Sequence, residues 1–330
     1  MHLWETEKFK STKNKITMKK IFLLFTAAMM TLSVASAQDI NEATTNYNNG
    51  ATELQMGNLE AALTYFQTAL QMGESLGEPA AELVANCKTA ICSVTLAQAK
   101  DLYNAKDFAA AVEAFNKAKE VAEGYGDAEV AAEAEELAAQ ANKLQYNTAG
   151  TAALRAKDYP ATIEAFKKVL ELEPDNGNAA VQLGQAYYRS SQFDAAIEAL
   201  TVAQANGQED NAAKLLSQVY LKKAQAASKA KDYNGAIELC LKSNEYVESG
   251  NAYRVAAGAA QKLGNNADTI KYYEKYLELS PKAKDFGGVA YTIAVLYQQE
   301  GNNAKAKEFY EKIVNDPQYG AAAKEFISKN

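Results

Sequence analysis

The sequence predicts an all-α fold in which helix hairpins stack into a superhelical solenoid. Two observations predict this class. A short pattern of apolar positions at helical spacing recurs along the chain, and turn-forming residues precede most of its copies. The chain also has only 5 prolines among 330 residues, which suits long runs of helix. We count about seven hairpins in the pattern, followed by a terminal capping helix.

Each copy contains a small residue, a large residue four positions later, and usually another small or apolar residue three positions after that. Apolar positions with this spacing form one stripe of a helix. The small residue lets a neighbouring helix approach closely, and the large one fills the space beside it. The large residues include Phe66, Phe115, Phe166 and Tyr273. The small residues, at intervals of 49, 51, 34, 40, 33 and 37, are Ala62, Ala111, Thr162, Ala196, Ala236, Thr269 and Ala306.

The residues before each stripe predict a tight corner between two helices. Gly57-Asn58 and Lys106-Asp107 are examples of the pairs that recur there. Glycine adopts the left-handed conformation that ends a helix, and Asp or Asn caps the helix that follows. Pro174 and Pro281 come just after two of the stripes, where a proline stops the second helix of a pair.

One copy carries a family resemblance. The run from Val181 to Tyr187 (VQLGQAY) continues to Phe193, Ala196 and Ile197. It resembles the tetratricopeptide repeat, an antiparallel helix pair of about 34 residues with a Leu-Gly-x-x-Tyr motif in its first helix. The resemblance covers about residues 42–316, although several copies lack the Gly and Tyr. It implies a solenoid whose concave surface is lined by first helices and binds other proteins.

The spacing also predicts how the helices are distributed. Residues 80–105 contain neither proline nor glycine, and residues 127–157 contain only Gly150. We therefore expect longer helices in residues 42–157, more regular repeats in 158–316, and a capping helix over 319–330, all within one solenoid spanning 38–330. The alternatives are an irregular helical bundle and a long coiled coil, but a coiled coil needs unbroken heptads.

Residues 1–37 have the organisation of a secretory signal peptide. Lys19-Lys20 precede an apolar run over residues 21–32, and Ala35-Ser36-Ala37 match a small-residue cleavage site. The run is shorter than the ~20 residues that span a bilayer, which disfavours the alternative of a transmembrane anchor. We expect cleavage after Ala37 and a periplasmic or secreted protein, with peripheral envelope association open. Met18 suits the start of such a segment, so residues 1–17 would be an over-extended start.

The charge disfavours nucleic acid as a partner. The whole chain has a net charge of -7, and removing residues 1–37 leaves 28 basic and 39 acidic residues, a net charge of -11. Nucleic-acid binders usually carry a basic surface instead. We also expect no transmembrane segment after the signal peptide.

The residues that catalysis or metal binding would need are scarce. His2, the single histidine, precedes the predicted cleavage site, and there is no G-x-S-x-G motif or phosphate-binding glycine loop. Cys87, Cys92 and Cys240 lack the close pairing and histidine partners of a zinc site, so we expect small buried core residues. We predict no enzyme activity, no cofactor and no metal.

The predicted partner-binding residues lie on first helices. Arg155, Arg189, Lys229 and Lys262 occupy one equivalent place near the helix ends, and basic side chains there could pair with carboxylates. The alternative is simple stabilisation of the helix dipole, worth about 0.3–1 kcal/mol. The other candidates are Arg254, Asn147, Gln185, Gln225, Tyr188 and Tyr291. We expect a non-catalytic scaffold that binds a protein partner, or alternatively an accessory subunit of an envelope assembly or nutrient-uptake complex.

Overall fold

The computed structural model describes residues 34–330, which contain fifteen α-helices, one short 3-10 turn (Glu78–Ala80) and no strand. Seven pairs of helices form hairpins, and one helix follows them. The first helices are α1 (Val34–Gln55), α3 (Ala81–Asn104), α5 (Ala128–Arg155), α7 (Gly177–Arg189), α9 (Glu209–Lys229), α11 (Gly250–Leu263) and α13 (Phe286–Gln299). The second helices are α2 (Leu59–Leu76), α4 (Phe108–Tyr125), α6 (Tyr159–Leu172), α8 (Phe193–Ala205), α10 (Tyr233–Tyr246), α12 (Asn266–Leu279) and α14 (Asn303–Lys312). The last helix is α15 (Gly320–Lys329).

The predicted all-α class, with its seven hairpins and final helix, is confirmed. The core of the predicted signal peptide, residues 21–32, lies outside the described residues. Within residues 34–330, no helix is both long and apolar enough to cross a bilayer.

The described chain divides into two compact units, residues 34–145 and residues 146–330, with the boundary inside α5. In the first unit α1, α2, α3 and α4 pack in chain order. In the second unit each helix from α6 to α15 packs against the next, and α7, α9 and α11 also touch in turn. This stacking of neighbours, with each hairpin covering the next, is the arrangement of an α-solenoid.

The small residues predicted from the sequence are among the most deeply buried positions of the second helices. All seven have no exposed surface. Two of them are threonines, whose hydroxyls need a partner when buried. The Thr162 hydroxyl donates to the Asp158 carbonyl and the Thr269 hydroxyl to the Asn265 carbonyl, each at 2.7 Å. The pattern therefore marked the packing face correctly even where the small residue is polar.

A second set of small residues lies on the first helices, each sixteen positions before the large residue of its hairpin, and all of them are buried. They allow the two helices to approach closely. A Cβ at Gly184 would lie 2.6 Å from Leu200 Cγ, and one at Gly150 would lie 2.9 Å from the Phe166 ring. The seven pairs are Gly50–Phe66, Ala99–Phe115, Gly150–Phe166, Gly184–Leu200, Ala224–Cys240, Ala257–Tyr273 and Ala294–Tyr310.

Every hairpin corner contains one residue with a left-handed backbone, as the sequence predicted for the glycines. Glycine fills this position in three corners, at Gly57, Gly264 and Gly301. A residue with a side chain fills it in the other four: Lys106 (φ 65°), Lys157 (φ 61°), Ser191 (φ 61°) and Lys231 (φ 66°).

The predicted capping of the second helices is confirmed in five corners. In each, an Asp or Asn side chain accepts a hydrogen bond from a backbone N–H of the following helix, at 2.9 to 3.2 Å. These contacts satisfy N–H groups that the helix itself leaves without acceptors. The capping residues are Asp107, Asp158, Asp232, Asn265 and Asn302.

The final helix covers the last hairpin through aromatic contacts. The Tyr319 ring, just before α15, stacks on Tyr291 of α13 with centroids 4.7 Å apart. Phe326 packs against Tyr310 of α14 at 4.6 Å. Ala323 is fully buried beside them. The apolar face that a further hairpin would cover is therefore filled by α15.

Candidate protein-binding surface

Four basic side chains form what we call the basic row: Arg155, Arg189, Lys229 and Lys262. The first three are the last residues of α5, α7 and α9, and Lys262 is the penultimate residue of α11. Each lies seven positions before the buried small residue of its hairpin, and each is exposed. Within residues 34–330, none of the four has a carboxylate at ion-pair distance. The row therefore presents cations whose charge no acidic side chain of the described chain offsets.

Lysines on the second helices behave differently. Each of three equivalent lysines, on α6, α10 and α12, bonds to a glutamate three positions later at 2.5 to 2.7 Å. Those hydrogen bonds, and the glutamate charges, raise the lysine pKa values. The pairs are Lys168–Glu171, Lys242–Glu245 and Lys275–Glu278. These three cations are thus paired with glutamates of their own helices, whereas those of the basic row are not.

The basic row is limited to the four middle hairpins. The equivalent residues in the first, second and seventh hairpins are Gln55, Asn104 and Gln299, which are neutral amides. First helices of this protein therefore end without a cation in three of seven cases. Stabilisation of the helix dipole does not by itself account for a row confined to the middle of the chain.

Polar side chains flank the row one turn earlier. Gln185 and Gln225 are half-buried and lie four positions before Arg189 and Lys229, on the same helix face. Asn147 of α5 is exposed. The half-buried Tyr188 ring lies 5.8 Å from the Arg189 guanidinium, which is a cation–π contact. Amides and cations here can donate hydrogen bonds to an incoming chain.

Arg254 lies on α11 and, unlike the basic row, forms an ion pair within the protein. Its Nε donates to Asp285 Oδ2 at 2.7 Å, and the Tyr276 hydroxyl donates to Asp285 Oδ1 at 2.6 Å. Burial acts to raise the pKa of Asp285, but the hydrogen bonds from Tyr276 and Arg254 and the arginine charge outweigh it and lower that pKa. Burial and the bond to Asp285 raise the pKa of Tyr276 to about 12. Arg254 therefore links successive hairpins.

Tyr291, the remaining sequence-predicted residue, also contacts its own chain. Its half-buried ring lies between Tyr319 and Tyr310, with centroid distances of 4.7 and 6.0 Å. The partners of these residues, Asp285, Tyr276 and Tyr319, were not predicted from the sequence. The contacts join elements 9 to 31 residues apart, so no local pattern revealed them.

The cysteines have the environment that the sequence predicted. Cys87, Cys92 and Cys240 have no exposed surface. Burial raises their thiol pKa values to about 12, 11 and 12, so the thiols are neutral near pH 7. Thiolates are the reactive and metal-binding form, and it is disfavoured here. Across residues 34–330, no group of three or more His, Cys, Asp or Glu side chains is arranged to hold a metal ion.

A shallow depression of about 360 Å³ lies in the first unit, where α4 ends and α5 begins. Lys88 and Tyr125 line it together with Asp127. Lys88 forms an ion pair with Glu74 at 3.3 Å, and Asp127 accepts the backbone N–H of Val130. Lys88 and Asp127 are thus engaged in structural contacts.

Two stretches of the chain match models of the tetratricopeptide repeat: residues 153–219 and residues 288–315. The chain therefore contains tetratricopeptide repeats in these two stretches. Such repeats serve as protein–protein interaction modules, generally without catalysis, which supports an interaction scaffold.

Solved structures with similar hairpin arrays include MamA, with 20% identity and a TM-score of 0.37 over 55% of this chain and 94% of that one. A second is PilF of Pseudomonas aeruginosa, with 16% identity and a TM-score of 0.31 over 58% and 89% of the two chains. A third is TTC0263 of Thermus thermophilus, with 15% identity and a TM-score of 0.27 over 57% and 97%. No curated protein matches this chain in sequence.

Proposed function

We propose that this protein is an exported scaffold of the bacterial cell envelope that binds a segment of a protein partner on the concave surface of its first helices. One observation carries the proposal: on consecutive first helices of the second unit, the basic row is exposed and finds no acidic partner among the residues that the structure describes. Direct contacts of α7 with α9 and of α9 with α11 bring Arg189, Lys229 and Lys262 onto neighbouring helices.

Physical reasons favour a protein ligand at this surface. Arginine and lysine pair with carboxylates, and arginine does so with two parallel hydrogen bonds. The amides of Gln185 and Gln225 carry both donors and acceptors, which match the peptide groups of a bound chain. A partner would therefore meet charged and neutral hydrogen-bonding groups side by side on each of two first helices.

Export rests on the signal-peptide pattern. If residues 1–37 are removed, the mature chain begins at Gln38, and four residues of α1 leave with the signal peptide. The envelope fraction is therefore the compartment in which to search for the partner.

Affinity capture tests the binding proposal. The mature chain 38–330 is immobilised, envelope extract of the source bacterium is passed over it, and retained proteins are identified by mass spectrometry. We expect Arg155→Glu/Arg189→Glu to lose the retained partner. Lys168→Glu/Lys242→Glu, which alters the same number of charges on second helices, should retain it.

Equal recovery of every protein by both variants would contradict binding at the basic row. Retention of several stoichiometric subunits by the wild type would support the alternative that the protein is an accessory subunit of an envelope assembly.

A further inference from the structure

Four asparagines of the sequence are followed directly by glycine: Asn49, Asn176, Asn206 and Asn234. Such a pair can cyclise, because the backbone nitrogen of the glycine can attack the side-chain carbonyl carbon, and glycine has no Cβ to hinder the approach. Ring closure needs a glycine N–H that no acceptor holds and a backbone with room to turn. The structure describes all four pairs and meets both conditions at one of them.

The Asn206-Gly207 pair lies in the turn between the fourth and fifth hairpins, directly after α8. Gly207 has a left-handed backbone (φ 77°), and the Gln208 N–H donates to the Ala203 carbonyl at 3.0 Å, as in a Schellman turn. At all seven hairpin corners the N–H of the left-handed residue also donates to the carbonyl three positions earlier, at 3.0 to 3.1 Å. The Gly207 N–H has no such acceptor within the described residues, so its nitrogen is available.

The surroundings of this pair leave it room to react. Gly207 is exposed, and a Cβ built on it would meet no atom within 4 Å. The half-buried Asn206 side chain makes one hydrogen bond, from Nδ2 to the Val202 carbonyl at 2.8 Å. Rotation of Asn206 from its ψ of 45° brings the Gly207 nitrogen to Cγ. That rotation costs the Gln208 bond but no helical hydrogen bond, because the pair lies outside α8 and α9.

Asn176, by contrast, is held at both ends of its side chain. Its Oδ1 accepts the Ala179 N–H at 3.0 Å, which caps α7, and its Nδ2 donates to Glu173 Oε2 at 2.9 Å. Turning the amide carbon toward the next backbone nitrogen would break both bonds and leave the helix uncapped. The fold therefore protects this pair.

The remaining two pairs lie within helices. Asn49 and Gly50 are inside α1, where the helix uses each backbone N–H, and Gly50 is buried. Asn234 lies in the first turn of α10, and the N–H of Gly235 donates to Asp232 Oδ1 at 2.9 Å. In both pairs the helix must open before the ring can close.

We propose that Asn206 is a site of spontaneous deamidation, and that its product loosens the join between the fourth and fifth hairpins. The Gly207 nitrogen forms a bond to Cγ and gives up its proton, while the bond from Cγ to Nδ2 breaks and ammonia leaves. Water then adds to either carbonyl of the resulting succinimide and opens the ring. One product is aspartate. The other is isoaspartate, in which the main chain runs through Cβ and Cγ and is one carbon longer.

The isoaspartate product does not fit the turn. The backbone carbonyl of Asn206 lies against the start of α7, where a Cβ on the buried Gly177 would be 2.2 Å from its oxygen. An added main-chain carbon displaces this carbonyl in a contact that has no free space, so the turn must move away from α7. The helices on either side, α7 and α9, touch each other and carry Arg189 and Lys229. The reaction itself stands independently of any partner.

Timed mass spectrometry tests the inference. The purified full-length protein is kept at mildly alkaline pH, which favours loss of the proton from the attacking nitrogen, and is digested with trypsin after increasing times. Cleavage after Arg and Lys places the four pairs on four separate peptides, so each is an internal control for the others. We expect Asn206 to convert at least about tenfold faster than the other three, because an opening free energy of about 1.4 kcal/mol protects them by that factor.

A matched sample in urea separates the effect of structure from that of sequence. There the three protected pairs should speed up toward the rate of Asn206. Asn206→Gln keeps the amide but would need a larger ring, so it should abolish the fast conversion. Asn206→Asp supplies the charge of the product without the added carbon. Wild-type protein aged until Asn206 is converted should unfold at a lower temperature, by circular dichroism, than Asn206→Asp or aged Asn206→Gln.

Equal or faster conversion of another pair in the folded protein would overturn the assignment of the site. The same preference for Asn206 in urea would show that the flanking sequence decides, which would overturn the structural argument. If aged wild type and Asn206→Asp unfolded at the same temperature, the proposed loosening of the turn would be wrong.

Discussion

The third and fifth hairpins build the same helix crossing from different residues. In the third, Gly150 of α5 faces the large ring of Phe166 on α6. In the fifth, Ala224 of α9 occupies the glycine position and Cys240 of α10 the ring position, and both are fully buried. The methyl group gained at Ala224 is much smaller than the ring lost at Cys240, so the fifth pair fills less volume than the third. Because interiors are close-packed, other side chains fill the remaining space, and Tyr272 of α12 lies in the same core cluster as Ala224 and Cys240.

The largest difference in stability between the two hairpins should come from truncating the large residue, with Phe166→Ala as the more damaging change. Phe166 is 1% exposed, and removing a buried ring leaves a cavity that costs about 3–5 kcal/mol. Cys240→Ala removes a single heavy atom at the equivalent place and should cost about 1 kcal/mol. Chemical denaturation followed by circular dichroism measures both. Similar losses for the two variants would contradict the idea that the third hairpin depends on the ring.

Gly150→Ala should have the next largest effect. The new Cβ would lie 2.9 to 3.1 Å from three ring atoms of Phe166, and overpacking of this kind costs about 1–3 kcal/mol. Gly258→Ala in α11 is the matched control, because a Cβ there meets nothing within 4 Å. It should stabilise the helix by about 0.5–1 kcal/mol. Changes of the same sign in the two denaturation midpoints would disprove the close approach at Gly150.

The smallest effect should be a pH dependence that the Cys240 thiol gives to the fifth hairpin and that Phe166, at the same place in the third, cannot give. Burial raises the pKa of the Cys240 thiol from 9.0 to about 12. The unfolded chain therefore loses the proton first, and stability present below pH 9 declines as pH rises toward 12. Between pH 8 and 10 the wild type should lose about 1 kcal/mol more than Cys240→Ala. Parallel pH profiles for the two proteins would show that the thiol titrates normally.

The repeating part of the fold could be predicted from sequence because each hairpin is a local unit. The small residue, the large residue and the cap of a second helix all lie within about two or three helical turns, so one pattern predicts the stripe, its burial and the corner. Thr162 and Thr269 are compatible with this buried position because each hydroxyl donates a hydrogen bond to the carbonyl four positions earlier.

The candidate surface was less predictable, because contacts between hairpins decide which side chains remain available. Arg254 and Arg189 look alike in sequence, yet Asp285, 31 positions away, binds the first, whereas no carboxylate within residues 34–330 binds the second. Lys106, Lys157 and Lys231 were predicted only as residues of the turns, and their left-handed backbone became visible in the structure. Helical periodicity gives the face of a residue but not its neighbours on the next hairpin.

The last helix has a consequence for engineering the array. Phe326 and Tyr319 occupy the face where α13 and α14 would otherwise receive another hairpin. A duplicated repeat joined after α15 would find that docking site filled. Lengthening the protein would require insertion before Gly320, so that the closing helix moves outward with the new end. A further repeat would therefore have to be inserted between α14 and α15, because α15 already covers the face beyond α14.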